Sequence, residues 1–151
     1  MDCMRKLDRV DMQLVKILSE NSRLTYRELA DILNTTRQRI ARRIDKLKKL
    51  GIIRKFTIIP DIDKLGYMYA IVLIKSKVPS DADKVISEIS DIEYVKSVEK
   101  GVGRYNIIVR LLLPKDIKDA ENLISEFLQR IKNAENVEVI LISEVRKFEI
   151  I

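Results

Sequence analysis

Two capped helices separated by a two-residue turn place the strongest constraint on how this chain folds. The segment LTYRELADIL begins a helix at Thr25, because Thr25 and Glu28 have the spacing of a capping box. Asn34 follows this helix and suits the left-handed conformation that often ends one. The next helix already begins at Thr36. Helices joined by so short a turn must cross steeply, and the pattern therefore predicts a helix-turn-helix.

The segment LDRVDMQLVKILSEN predicts another helix before this pair. Asp8 is its expected cap, with Asp11 at the third helical position. Val10, Leu14 and Leu18 belong to an apolar stripe at helical spacing, which is typical of a half-buried helix.

The helix after Thr36 is strongly basic. Its apolar residues line one side, while Gln38 and Arg42 point nearly opposite. Arginine can make paired hydrogen bonds to guanine and glutamine to adenine, and the later lysines can meet phosphates. A solvated helix face is the alternative, but such a face normally intersperses acids, and here only Asp45 interrupts. We therefore predict a recognition helix for double-stranded DNA. The predicted DNA contacts are Thr36, Arg37, Gln38, Arg39, Arg42, Arg43, Lys46, Lys49 and Arg54.

Charge is divided unevenly along the chain. Residues 1–60 hold 15 Lys and Arg against 7 Asp and Glu, a balance of +8, whereas residues 61–151 hold 14 against 16. This asymmetry indicates two modules, the first with a polyanionic partner. After the basic helix, residues 52–60 (IIRKFTIIP) predict β structure. That segment is either a wing along the phosphate backbone or a strand linking two domains.

The remainder of the chain alternates strand and helix patterns in the order βαββαβ. This order is the ferredoxin-like arrangement. The expected fold class is therefore α+β, with a helix-turn-helix domain (1–59), a linker (60–66) and a βαββαβ domain (67–151).

Both alternating sets of positions along the predicted strands are apolar, so both faces of the sheet are expected to be apolar. An antiparallel sheet with one wet face should be polar there, so the second face must be covered, and a second copy of the chain is the expected cover. The residues expected to face the two helices are Ile71, Leu73, Ile107, Val109, Leu111, Val139 and Leu141. The residues expected on the opposite face are Val72, Ile74, Ile108, Leu112, Ile140 and Ile142.

Two glycines lie in the loop KGVGRYN between the middle strands. Gly101 and Gly103 are typical of a tight hairpin, because glycine adopts a positive φ at little cost. The alternative is that bare backbone N–H groups here hold a small carboxylate. Both interpretations remain open on spacing alone.

Composition argues against most catalytic chemistry. The chain has no histidine and one cysteine, Cys3, so the usual general base, the commonest metal ligand and a thiolate metal cage are missing. We expect no enzyme, no cofactor and no metal. No apolar run approaches a membrane span and no signal peptide begins the chain, which favours a cytoplasmic protein without a membrane partner. Few Gly and Pro beside many Ile, Lys and Glu indicate a heat-adapted source.

The chain resembles the Lrp/AsnC, or feast/famine, transcription regulators, and an archaeal member is expected. The matching motifs are LDRVDMQLVKIL, TYRELADIL, the RRI of residues 42–44, KLKKLGII, the LG of residues 65–66 and GVGRYNIIVRLLL. The resemblance implies a DNA-binding helix-turn-helix joined to a domain for oligomerisation and effector binding. It also implies homodimers that assemble into tetramers or octamers, and an amino-acid effector near Gly101, Gly103, Tyr105 and Asn106.

The chain departs from the family pattern at the effector loop and on the last strand. Asn106 stands where the family usually has an aspartate that could pair with an effector's ammonium group. Asn136 and Glu138 align with the family's Thr-x-Thr pair. We expect a sequence-specific regulator, with an architectural DNA-wrapping protein as the alternative. Sirohaem decarboxylase subunits resemble this fold too, but the absence of histidine argues against that activity.

Overall fold

The chain folds into two compact units. The computed structural model describes residues 7–151. The first unit contains the described residues up to Ile59 together with Lys147–Ile151, and the second is Pro60–Arg146. The separate linker at 60–66 stays a prediction. Within the described residues, no helix has the length and apolar character that crossing a bilayer requires.

Three helices form the first unit, as the sequence predicted. They are α1 (Arg9–Glu20), α2 (Tyr26–Ile32) and α3 (Arg37–Lys49). All three predicted caps are confirmed, since Asp8, Thr25 and Thr36 each accept a hydrogen bond from the backbone of the first helical turn. The first two are complete capping boxes. The buried core between the helices is Leu14, Leu18, Leu29, Ala30, Ile40, Ile44 and Leu47.

The turn between α2 and α3 is closed by a left-handed asparagine. Asn34 has a φ of 52°. Its N–H donates to the carbonyl of Asp31 at 3.4 Å, and the N–H of Thr35 donates to the carbonyl of Ala30 at 2.9 Å. These two bonds are the Schellman pattern, which satisfies the last carbonyls of α2 while the chain reverses. The predicted left-handed residue is therefore confirmed.

The prediction of β structure at residues 52–60 is wrong. Gly51 ends α3 with a φ of 69°, and Ile52 donates back to the carbonyl of Leu47 at 2.9 Å. Residues 54–60 then run without regular secondary structure. A strand exists only where its backbone groups pair with a neighbour, and in the described chain no strand lies beside this segment. Its β-branched residues reflect propensity alone.

The second unit is a four-stranded antiparallel sheet with two helices. Its elements are β1 (Tyr67–Ser76), α4 (Ala82–Ile89), β2 (Val95–Lys100), β3 (Ile107–Pro114), α5 (Ile117–Arg130) and β4 (Ala134–Leu141). A 3₁₀ turn, Pro79–Asp81, precedes α4. The strand order is β2-β3-β1-β4, which is the predicted ferredoxin-like arrangement.

Register corrects the predicted faces of β1. Val72 lies opposite Val109 on β3 and opposite Val139 on β4. Directly opposed residues share a face, so Val72 and Ile74 face the helices, where both are fully buried. The sequence had assigned this side to Ile71 and Leu73 instead. Strand alternation fixes only which residues share a side, and a one-residue error in the assumed register reversed that side for β1.

The opposite face of the sheet is largely apolar, and neither helix of the second unit covers it. We call this surface the outer sheet face. Its apolar members are Tyr69, Ile71, Leu73, Ile108, Leu112 and Ile140, and its polar members include Ser97, Glu99, Arg110 and Glu138. Arg110 lies over the ring of Tyr69, with the guanidinium carbon 5.3 Å from the ring centroid.

Candidate nucleic-acid interface and effector loop

The first turn of α3 lies exposed on the first unit. The Oγ1 of Thr36 accepts a hydrogen bond from the backbone N–H of Arg39 at 3.3 Å. This bond uses the oxygen as an acceptor, so the hydroxyl proton can still be donated to a phosphate. Arg37, Gln38 and Arg42 are exposed as well. The helix therefore presents forked hydrogen-bond donors to solvent, the geometry that reading base edges requires.

Besides Lys48, which lies over the ring of Phe56, four cations of α3 have no acidic partner among residues 7–151. They are Arg37, Arg39, Arg42 and Lys49, and all four are exposed. An exposed cation without a carboxylate is free to neutralise a phosphate or to contact a base. These four side chains make the solvent side of α3 a strongly positive surface.

Arg43 and Lys46, which were also predicted to contact DNA, are paired inside the first unit. The Nη1 of Arg43 donates to Asp11 Oδ1 at 2.6 Å and to Asp8 Oδ2 at 2.7 Å. The Nζ of Lys46 donates to Asp11 Oδ2 at 2.6 Å. Asp11 is fully buried. We call these four residues the α1–α3 ion-pair cluster.

Hydrogen bonds keep the acids of this cluster charged. Burial acts to raise the pKa of Asp11, but the hydrogen bonds from Lys46 and Arg43 outweigh it and hold the pKa below its ordinary value. The hydrogen bond from Arg43 likewise lowers the pKa of Asp8. Sequence reasoning gave both acids a capping role alone. The signal that it missed was the spacing of Arg43 and Lys46, three residues apart on one side of α3.

Arg54 lies in the segment that follows α3. Both Arg54 and Lys55 are exposed there. The next residue, Phe56, is held against the end of α3, since the Nζ of Lys48 lies 5.6 Å from the centroid of its ring. Neither Lys48 nor Phe56 was predicted to take part in this site. Arg54 and Lys55 thus add two exposed cations to the first unit.

The two glycines of the loop between β2 and β3 differ in backbone conformation. Gly103 has a φ of 159°, which residues with a Cβ rarely adopt, whereas Gly101 has no positive φ. A Cβ on Gly101 would meet nothing within 4 Å, and one on Gly103 would meet only the carbonyl oxygen of Tyr105 at 3.6 Å. The conformational reason for glycine therefore applies to Gly103 and not to Gly101. Both leave open space above the loop.

Asn106 closes this loop through backbone and side chain together. Its carbonyl accepts from the N–H of Gly101 at 2.9 Å, so that amide is already used. Its Oδ1 accepts from the N–H of Ser76 at 3.0 Å, and its Nδ2 donates to Ser76 Oγ at 2.7 Å. Ser76 Oγ in turn donates to the carbonyl of Val78. Asn106 is thus tied to β1 by a bidentate contact, and Ser76 is a partner that sequence reasoning missed.

Tyr105 brings the loop to the last strand. Its hydroxyl donates to Glu138 on β4, and it accepts a hydrogen bond from the Nδ2 of Asn136 at 3.4 Å. The hydrogen bond to Glu138 raises the pKa of Tyr105. The guanidinium carbon of Arg104 lies 5.5 Å from the centroid of the Tyr105 ring. A carboxylate, a phenol, an amide and a guanidinium therefore lie around the loop that contains Gly101 and Gly103.

Comparisons with known proteins match the helix-turn-helix region and nearly the complete chain. Residues 7–54 match the family described as winged helix-turn-helix DNA-binding. The chain is 78% identical over 148 residues to an uncharacterized HTH-type transcriptional regulator of Pyrococcus abyssi. The matched region covers 98% of this chain and 100% of that relative.

Solved structures share the complete fold. Escherichia coli AsnC superposes with a TM-score of 0.82 at 22% identity and covers 96% of this chain and 97% of its own. A transcriptional regulator from Neisseria meningitidis, solved as a complex with L-Met, superposes with a TM-score of 0.80 at 18% identity over 95% of this chain and 94% of its own. At these identities the likeness establishes the fold alone.

Proposed function

Since this chain belongs to the HTH-type transcriptional regulators and has the Lrp/AsnC fold, we propose that α3 reads a specific DNA site and that a small effector tunes the regulator. The observation that carries the DNA-reading proposal is the row of exposed Arg37, Gln38, Arg39 and Arg42, which have no acidic partner in the described chain. Architectural wrapping alone needs no such paired donors and is not favoured. The protein is a regulator and not an enzyme.

In this proposal the residues of α3 divide their work by chemistry. Gln38, Arg39 and Arg42 reach base edges with paired donors and acceptors. Thr36 and Lys49 contact phosphates, and so does Arg54 from the following segment. DNA in the cytoplasm is the partner, and the positive charge of the first unit draws it in.

Specificity is the property that tests this assignment. Once a preferred site has been obtained by in vitro selection, Arg42→Ala should weaken binding to it much more than binding to random DNA. A bidentate base contact contributes about 1–3 kcal/mol of discrimination, so the ratio of the two affinities should fall by roughly 5- to 150-fold. Lys49→Ala serves as the control, because losing a phosphate contact should weaken both DNAs about equally. Equal losses on both DNAs for Arg42→Ala contradict its role as a reader.

The effector proposal rests on the open space above the glycine loop. Gly103 and its neighbours expose backbone to solvent, while Gly101 contributes only the absence of a side chain, since its N–H is bonded to Asn106. We place the carboxylate of an amino acid at Gly103. Glu138, hydrogen-bonded to Tyr105, then supplies the acid for the ammonium group that the amide of Asn106 does not supply.

Gly103→Val tests the loop directly. The valine side chain should block close approach of a ligand, and since a residue with a Cβ is strained at a φ of 159° the melting temperature should fall as well. Isothermal titration of the wild type against the twenty amino acids comes first. The ligand found should no longer bind Gly103→Val, and the DNA affinity of the folded variant should stay near that of the wild type. If no amino acid binds below millimolar concentration, the loop is not an amino-acid site.

We also propose that the protein works as a homodimer, which assembles further into tetramers or octamers. Its outer sheet face would then be covered by a second copy. Dimerisation also brings two recognition helices onto one DNA, which a palindromic site requires.

A further inference from the structure

The α1–α3 ion-pair cluster separates the cations of α3 into two groups. Arg43 and Lys46 each lie 2.6 Å from an oxygen of Asp11. Arg42 and Lys49, on the same helix, have no acidic partner in the part of the chain that the structure describes. Thus a helix that the sequence shows as basic apart from Asp45 offers only part of its positive charge to a ligand.

Burial makes this separation persistent. Asp11 has an exposed fraction of 0%, and its carboxylate receives both basic groups at once. A phosphate that captured Lys46 or Arg43 would leave a buried carboxylate poorly compensated, which is strongly unfavourable. Side-chain exposure agrees with this, since Arg43 is 28% exposed and Lys46 is 40% exposed. Both cations are held back towards α1.

We propose that Asp11 is a specificity-determining positioning residue, which neutralises Arg43 and Lys46 and so limits the affinity of α3 for DNA of any sequence. Binding to unrelated DNA depends on the number of phosphates that cations neutralise, whereas discrimination depends on the exposed readers. Neutralising these two cations lowers the affinity for unrelated DNA without changing the discrimination between DNA sites. The inference rests on the proposed function only in that α3 faces DNA.

Salt dependence of binding to random duplex DNA measures this effect. Each additional phosphate contact steepens the plot of log K against log salt by about 0.9. Asp11→Asn releases Lys46 while Asp8 still holds Arg43, so the slope should steepen by about one unit. A fourfold rise in salt should then weaken binding about 3- to 4-fold more than in the wild type. The double variant Asp8→Asn/Asp11→Asn should steepen the slope by about two units.

Glu20→Gln is the matched control. Glu20 lies on α1 like Asp11, is exposed, and has no ion pair within the described residues, so the substitution changes net charge equally but releases no cation. The slope should stay within experimental error of the wild type. A folded Asp11→Asn with an unchanged slope, or an equal change in Glu20→Gln, overturns the proposal. A purely structural role for Asp11 would weaken binding without steepening the slope.

If Asp11→Asn does not fold, a second pair of variants tests whether Lys46 is withheld from DNA. Lys46→Gln should leave the random-DNA slope unchanged, because that charge is already neutralised by Asp11. Lys49→Gln should flatten it by about one unit. Equal flattening by both variants overturns the inference but leaves the proposed function standing. If neither Lys49→Gln nor Arg42→Ala affects any DNA, α3 does not face DNA, and both proposals fail.

Discussion

Asn106 shows at the residue scale how one amide can do what an acid cannot. Its Oδ1 accepts from the backbone of Ser76 while its Nδ2 donates to the hydroxyl of the same residue, which is only 4% exposed. A carboxylate has no hydrogen to donate, so it can make only the first of these bonds. The amide therefore joins the loop between β2 and β3 to β1, at the place where the family resemblance leads one to expect aspartate.

Asn106→Asp should for this reason destabilise the second unit. The new carboxylate would face the lone pairs of Ser76 Oγ, or else draw that hydroxyl away from the carbonyl of Val78. Leaving one part-buried polar group without its partner should lower the free energy of unfolding by about 1–3 kcal/mol. Chemical denaturation at pH 7 measures the change.

Asn136→Asp is the matched control for that measurement. It makes the same amide-to-acid change at an exposed position, where the side chain donates a long 3.4 Å hydrogen bond to Tyr105. The free energy of unfolding should change by less than about 0.5 kcal/mol. Equal losses in the two variants contradict the bidentate role of Asn106.

At the scale of elements, the turn between α2 and α3 depends on one backbone conformation. Asn34 has a φ of 52°, which asparagine and glycine tolerate and alanine does not. Asn34→Ala should lower the free energy of unfolding by about 1–2 kcal/mol. Asn34→Gly should change it by only a few tenths, because glycine pays no Cβ penalty. Denaturant titration of the two variants makes the comparison, and an equal loss in both would show that the Asn34 side chain itself is needed.

Elements set by neighbouring residues were predictable from the sequence, and those set by distant ones were not. The caps at Asp8, Thr25 and Thr36 use hydrogen bonds that span three residues, so their spacing is visible in the chain. The strand expected at 52–60 needed a partner that is absent from the described chain. The reversed face of β1 needed the register against β3 and β4.

The candidate site divides in the same way. Exposure of Arg42 opposite the apolar side of α3 follows from helical periodicity. The pairing of Lys46 with Asp11 spans 35 residues and depends on how α1 packs on α3. The contact between Asn106 and Ser76 likewise depends on the pairing of two strands. Composition therefore revealed the kind of site, and tertiary packing decided which of its residues remain free.

For the molecule as a whole, the two units offer surfaces of opposite character. The basic first unit suits a polyanion, whereas the second unit exposes apolar side chains on a sheet that its own helices cover only on the other face. On the outer sheet face, Ile108 lies opposite Leu73 and is 37% exposed, and Ile140 is 46% exposed. A contiguous apolar surface of this kind indicates an interface. In the proposed dimer the two surfaces would be linked, because a palindromic DNA site needs two recognition helices.

Ile108→Glu should break such an assembly. It puts a carboxylate without a partner into the proposed contact, where desolvation is costly. Light scattering at micromolar concentration should show dimers or larger assemblies for the wild type and monomers for the variant. Affinity for the preferred DNA site should fall steeply, since one helix-turn-helix contacts only a half-site. Ile117→Glu is the control, because Ile117 is 72% exposed at the start of α5, on the helix side of the unit, and its substitution should leave assembly intact. A wild-type protein that is monomeric at micromolar concentration rules out the outer sheet face as a stable dimer interface.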